Sequence, residues 1–262
     1  MVKMSLPDPV KAPLGKSPLQ LVVCQVRFEE TLAVSDAKLV LQLHGDLGGR
    51  AGQYPKLESV RGTRVEIPMA AGGPLGAPSE TAFAGWRMSS ADGWIVTIMP
   101  DSVALETSRY TTWDEDFGPR FRQLIEAVAS RISPSIEQRL GLRYVDRITQ
   151  PKVTSPDQWK DFVSEPFLGL IMHPTVGRLV RNSQQQTLLT LDDGINALVR
   201  TGFAVEDDAS SDLAYLLDFD VSRSEVRAFD VQSILQGAET LHDLNVRLFQ
   251  QAVTPRLLEA LA

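Results

Sequence analysis

Leu140-Gly141-Leu142-Arg143-Tyr144-Val145-Asp146-Arg147-Ile148-Thr149 sets Leu142, Tyr144, Asp146 and Ile148 on one side and Gly141, Arg143, Val145, Arg147 and Thr149 on the other. A period of two is a strand with two distinct faces. An earlier stretch, Leu19 to Leu32, has the same form. After the apolar run Leu21-Val22-Val23-Cys24, it places Val26, Phe28, Glu30 and Leu32 opposite Gln25, Arg27, Glu29 and Thr31. Aligned, Val26-Arg27-Phe28 falls on Leu142-Arg143-Tyr144, Glu30 on Asp146 and Leu32 on Ile148. Two lead strands of one pattern point to an internal duplication.

Each lead strand opens a similar series. After the first, Leu39, Val40, Leu43 and Leu47 have helical spacing, Ser35 or Asp36 can cap the helix, and Gly45, Gly48, Gly49 and Gly52 end it. Arg64 to Pro68 is a candidate strand, and Ala70 to Pro78 a Gly/Pro-rich loop. Phe83–Ser89 and Trp94–Met99 form a hairpin around Asp92-Gly93, a pair suited to the positive φ of tight turns. Val103 to Thr107 follows as a strand. Phe117, Phe121, Leu124, Ile125, Val128 and Ile132 then make one helical stripe, with Thr112 or Asp114 as cap, Pro119 in the first turn and Pro134 at its close.

After the second lead strand comes a proline-rich connector with a short helix over Asp157 to Val163. Strands are expected at Val176–Asn182, Thr187–Leu191, Ile195–Val205 and Leu213–Ser222, with a turn at Asp193-Gly194. A long helix spans Val231 to Val253, and Pro255 starts a short terminal one. The expected fold is therefore α+β, in two pseudo-symmetric halves, each an antiparallel sheet packed on a long amphipathic helix. The halves are residues 18–139 and 140–262 of one compact unit, preceded by a flexible, proline-rich tail over 1–17.

The apolar fraction, 43% of 262 residues, is enough for a substantial core. A net charge of −7 disfavours general nucleic-acid binding, which depends on Lys and Arg contacts to phosphates. A local patch of Arg139, Arg143, Arg147, Arg178 and Arg181 leaves room for a limited version of it. The single cysteine, Cys24, lies in an apolar run and reads as a buried thiol. No run approaches the ~18–20 apolar residues of a membrane span, and Met1 to Lys16 lacks the apolar centre of a secretory signal. The expected location is cytoplasmic.

Several elements in order resemble a known group. They are Pro18-Leu19 leading to Val26-Arg27-Phe28, Tyr54-Pro55 after a helix, and Trp86 with Asp92-Gly93-Trp94. Tyr110, Trp113 and Phe117 follow, then Leu142-Arg143-Tyr144-Val145-Asp146-Arg147-Ile148 and Leu217-Asp218-Phe219-Asp220. From Pro18 onward the chain resembles a sporadically distributed, uncharacterised bacterial family of about this length, which often carries Asn where this chain has Asp146. The resemblance implies a scaffold and a patchy distribution, of the kind associated with mobile, defence or toxin–antitoxin gene neighbourhoods. It implies no established activity.

Motifs for familiar chemistry are missing. His44, His173 and His242 are far apart and lack Cys or His neighbours, so no metal is expected. Gly15-Lys16-Ser17 has Val10 where a P-loop needs its first glycine. No G-x-S-x-G elbow or dinucleotide fingerprint occurs, and no cofactor is expected. The candidate binding residues are Arg27, Glu30, Arg143, Asp146 and Arg147. Glu30 and Asp146 fall on the apolar faces of their strands, where a charged, unpaired carboxylate is costly. They are either ion-paired, exposed at strand ends, or the lining of a polar pocket between the halves. The leading functional expectation is a non-catalytic component that binds another protein, as in toxin–antitoxin or defence systems. The alternative is a small-molecule-binding protein or enzyme of unfamiliar type with a pocket between the halves.

Overall fold

The first lead strand, β1 (Leu19–Phe28), turns Val22, Cys24, Val26 and Phe28 fully inward. It ends there, four residues earlier than its sequence pattern, and Leu32 starts a 3-10 turn with its side chain exposed. The alternation continues past the strand because Thr31 caps that turn, accepting the Ala33 N–H. The computed structural model describes residues 6–10, 14–63, 81–150, 153–191, 194–204 and 213–262. The strand expected at Arg64–Pro68, the loop at Ala70–Pro78 and Asp193 lie outside the described residues.

Helix α1 (Ala37–Asp46) follows, capped by Asp36, whose carboxylate accepts the Lys38 N–H. His44 is buried, with Nε2 2.6 Å from the Tyr54 carbonyl oxygen. Strand β2 (Lys56–Thr63) is not signalled in sequence, since its residues do not alternate by polarity. A meander follows: β3 (Thr81–Ser89), β4 (Trp94–Met99) and β5 (Ser102–Thr107). Gly93, with φ of 85°, makes the β3–β4 turn. A π-type turn at Trp113–Phe117 leads into helix α2 (Gly118–Arg131), and Ser133 in the left-handed region (φ 52°) ends it.

The second lead strand, β6 (Ile136–Thr149), faces Leu140, Leu142, Tyr144, Asp146 and Ile148 inward. Four 3-10 turns between Pro156 and Leu179 replace the strand expected at Val176–Asn182. Strands β7 (Asn182–Thr190), β8 (Ile195–Ala204) and β9 (Ala214–Arg223) form the second meander, and β10 (Arg227–Ala228) adds a short pairing to β6. Helices α3 (Val231–Ala252) and α4 (Pro255–Leu261) close the described fold.

All ten strands join one antiparallel sheet, in the order β2-β3-β4-β5-β1-β6-β9-β8-β7, with β10 beside β6. At its centre Val26 pairs with Leu140, Cys24 with Leu142 and Val22 with Tyr144. Helix α3 packs on β6 and β9, α2 on α3, and α1 on α2. The core lies between these helices and the inward face of the sheet. Asn245 of α3 donates to the β6 carbonyl of Leu142 at 3.1 Å, which fixes the helix's height over the strand. No helix among the described residues is long and apolar enough to cross a membrane.

Candidate functional site

Asp146 is the one carboxylate that β6 turns inward near its C-terminal end. It is 4% exposed, and no described residue donates a hydrogen bond to it or pairs with it as a cation. Burial alone pushes its carboxyl from 3.8 up to about 8. A group in this state is expensive to keep charged and is therefore not explained by packing.

Asp146 borders a cavity of about 300 Å³. Tyr144, two residues earlier on the same face of β6, lies beside it. His242, Val246 and Phe249 recur at helical spacing on α3 and form one wall. The opposite wall comes from Tyr110 to Asp114, between β5 and α2. Thr112 accepts the Glu115 N–H at 3.3 Å and so starts the π-type turn that presents Trp113. Leu258 of α4 and the segment Leu14–Leu19 complete the enclosure.

The aromatic groups hold one another in place. The His242 ring stacks on Trp113 at 4.7 Å and 4°. Its Nδ1 lies 2.8 Å from the Tyr144 hydroxyl. Tyr110 packs on Tyr144 with ring centres 5.8 Å apart, and the two phenols interact. Burial pushes the Tyr110 hydroxyl up to about 12, and burial, then the neighbouring Tyr110, pushes Tyr144 well above its usual value. Both phenols are therefore neutral hydrogen-bonding groups at ordinary pH. The described lining has Asp146, Asp114 and His242 as its ionisable groups besides the tyrosines, and neither Lys nor Arg.

The chain before β1 is held against this region. Arg247 of α3 donates to the Leu6 carbonyl and to Asp8, each at 3.0 Å, and Gln250 bonds both the N–H and the carbonyl of Val10. The Lys16 N–H reaches the Leu261 carbonyl at 2.9 Å. Residues 6–10 thus run along α3 instead of standing free of the body.

The sequence candidates do not assemble. Antiparallel pairing of β1 with β6 sends Glu30 and Asp146 to opposite ends of the pair, since Leu19, at the start of β1, is the partner of Asp146. Glu30 is exposed, beyond the strand's end, and not on an apolar face. Arg27, Arg143 and Arg147 all lie on the outward face. Arg27 pairs with Asp101 at 2.9 Å. Arg143 makes two 2.8 Å bonds to Asp218, which Arg200 also reaches at 3.1 Å. Arg139 pairs with Asp220. Asp218 and Asp220 share one face of β9 and are the acceptors of these arginines. The arginine stripe is thereby largely neutralised by cross-strand carboxylates.

His242, Trp113 and Tyr110 were not legible as site residues. In sequence His242 has no Cys or His neighbour, and nothing distinguishes Tyr110 and Trp113 as lining rings from core ones. The available signal was His242, Val246 and Phe249 on one α3 face, which mixes polar and apolar groups where a purely apolar stripe would suffice. Among the described residues no group of three or more His, Cys, Asp or Glu is placed to hold a metal ion. No protein-family model matches the chain, and none of the curated proteins compared with it does.

Proposed function

We propose that this protein binds a small molecule in the cavity beside Asp146, without transforming it. The observation that carries the reading is a nearly inaccessible carboxyl with no described partner, bordering a half-open cavity with mainly apolar and aromatic walls. Few polar groups converging in an apolar pocket are the usual build of a ligand site, and about 300 Å³ is at the small end of the usual range. The hydroxyl paired with an imidazole in the described lining is the Tyr144 phenol, which burial keeps neutral, so binding accounts for the arrangement without a reaction.

The same proposal makes the chain a duplication whose halves meet at β1 and β6. Aligning Val26-Arg27-Phe28 with Leu142-Arg143-Tyr144 puts the local twofold between Gln25 and Gly141, and those two are direct partners in the sheet. Each lead strand is flanked by the last long strand of its own meander, β5 or β9, and each meander leads to a long helix. The cavity then takes walls from both halves, which suits a site that arose where two copies joined.

A ligand-observed NMR screen with small ring-bearing fragments tests the binding reading. Fragments are expected to bind the native chain and to lose binding in Val246→Trp, which fills the cavity from α3. Equal binding to both proteins, or none to the native chain, would remove the cavity from consideration.

A second reading, binding of another protein, rests on β7. It ends the sheet, and among the described residues nothing pairs with its outer edge. Leu188 on β7, and Leu170, Val176 and Leu179 on the neighbouring 3-10 turns, are exposed large apolar groups. An extended partner segment that adds a strand there would satisfy the edge and cover those side chains. Leu188→Lys with Leu179→Glu should abolish such an association in sedimentation experiments while leaving fragment binding intact.

A further inference from the structure

We propose that the ligand of the Asp146 cavity is an organic cation, a primary or secondary ammonium on a compact apolar body, whose N–H group the Asp146 carboxylate receives. This inference rests on the reading of the cavity as a ligand site, and it assigns the ligand's chemical class.

Three candidate classes can be weighed against the lining. An anion would meet Asp146 and Asp114 with no described Lys or Arg in the wall to balance them; Lys16, on the adjoining segment, is exposed. A neutral molecule could accept a hydrogen bond from protonated Asp146, but it would use neither the acidic balance nor the aromatic faces. A cation uses both. The buried carboxylate is an acceptor when ionised, and a charge-assisted N–H···O bond is stronger than a neutral one. Tyr110, Tyr144 and Phe249 in the lining are aromatic, and aromatic rings attract positive charge.

The rings are also preorganised. Trp113 is clamped against His242, and Tyr144 is tied to the same imidazole, so these walls lose little freedom when a ligand enters. The carboxyl is held without a described partner until the ammonium supplies one. Ligand binding therefore replaces a costly isolated group with a paired one, and the cost of ionising Asp146 appears as a pH dependence of affinity.

The groups that face Asp146 set that dependence. From the sheet these are Tyr144 and, behind it, Cys24, both held neutral by burial. From the β5–α2 segment they are Tyr110, also neutral, and Asp114. From α3 it is His242. The Asp146 proton thus weakens binding as pH falls. With the Asp146 carboxyl at about 8, amine affinity should drop about tenfold per pH unit below that value and level off above it.

Isothermal titration of the full chain with benzylamine, benzyl alcohol and benzoate decides the matter, since the three share one body and differ in charge. At pH 8 benzylamine should bind at least about tenfold more tightly than benzyl alcohol, and benzoate should not bind. Below pH 8, titration in buffers of different ionisation heat should show proton release on binding the amine. Asp146→Asn, with its fold checked by circular dichroism, should bring amine and alcohol affinities together. Benzyl alcohol or benzoate binding as tightly as benzylamine, with Val246→Trp removing all three, overturns the cation assignment and leaves the cavity as a site. Failure of all three to bind the native chain overturns both readings.

Discussion

Arg223 and Glu137 face each other through two parallel hydrogen bonds, Nε to Oε1 and Nη2 to Oε2, each 2.9 Å long. Glu137 is fully buried at the start of β6 and Arg223 lies at the end of β9. The same guanidinium reaches the Ser233 carbonyl at 3.1 Å, one of the first residues of α3. One cation therefore joins the two central strands of the second half to the helix that covers them.

Removing one partner leaves the other charged and buried. Glu137→Gln or Arg223→Met should cost about 3–5 kcal/mol in urea denaturation. The double variant Glu137→Leu with Arg223→Met should recover most of that loss, because no isolated charge remains.

Gly237 of α3 packs directly over this pair. A Cβ there would run into the Arg223 guanidinium and the Leu140 side chain. In a helix interior Gly→Ala ordinarily stabilises by up to ~1 kcal/mol. Gly237→Ala is expected to destabilise instead, by about 1–3 kcal/mol from overpacking. The sign of the change in thermal midpoint reports whether the guanidinium is fixed where the structure has it.

Asp146 gives a pH signature in the ligand-free protein. Its folded-state carboxyl is raised from 3.8 to about 8, so between those values the folded chain holds a proton that the unfolded chain has released. Stability is then fullest below pH 4 as far as this group is concerned, and is lost as pH rises toward 8. The slope approaches about 1.4 kcal/mol per pH unit within the window. Asp146→Asn should remove this slope and be more stable than the parent at pH 8, as read by denaturant midpoints across pH.

Cys24 sits at the centre of the sheet, fully buried, and burial drives its thiol well above the usual value despite the opposing charge of Arg139. The native chain should resist thiol reagents at pH 8 and take up one label per chain only when unfolded. The labelling rate then measures opening of the β1–β6 pair.

The sequence carried the α+β class and most elements because strand alternation and helical stripes are local. Asp36, Thr112 and Gly93 announced their caps and turn by side-chain chemistry alone. β2 was missed because Lys56, Glu58 and Arg61 break any apolar alternation. The Val176–Asn182 assignment failed because apolar residues there fill 3-10 turns. The candidate site was legible only at Asp146. Glu30, matched to it in the sequence pattern, lies beyond the end of β1 and is exposed, and antiparallel pairing of the lead strands sends the two positions to opposite ends of the pair. The rest of the site comes from α3 and the β5–α2 segment, whose approach to Asp146 is a fact of tertiary packing. Likewise, the outward arginines looked available because their carboxylate partners, Asp101 in the β4–β5 turn and Asp218 and Asp220 on β9, lie far away in sequence.

The pairing of Cys24 with Leu142 has a consequence for how the chain is made. β1 is central in the sheet but emerges from the ribosome long before its neighbour β6. Until then one flank of its apolar ladder has no native occupant. Such late closure makes folding slow and leaves a nascent strand open to mispairing. A chain stalled before β6 should engage chaperones, and one extended just past it should release them.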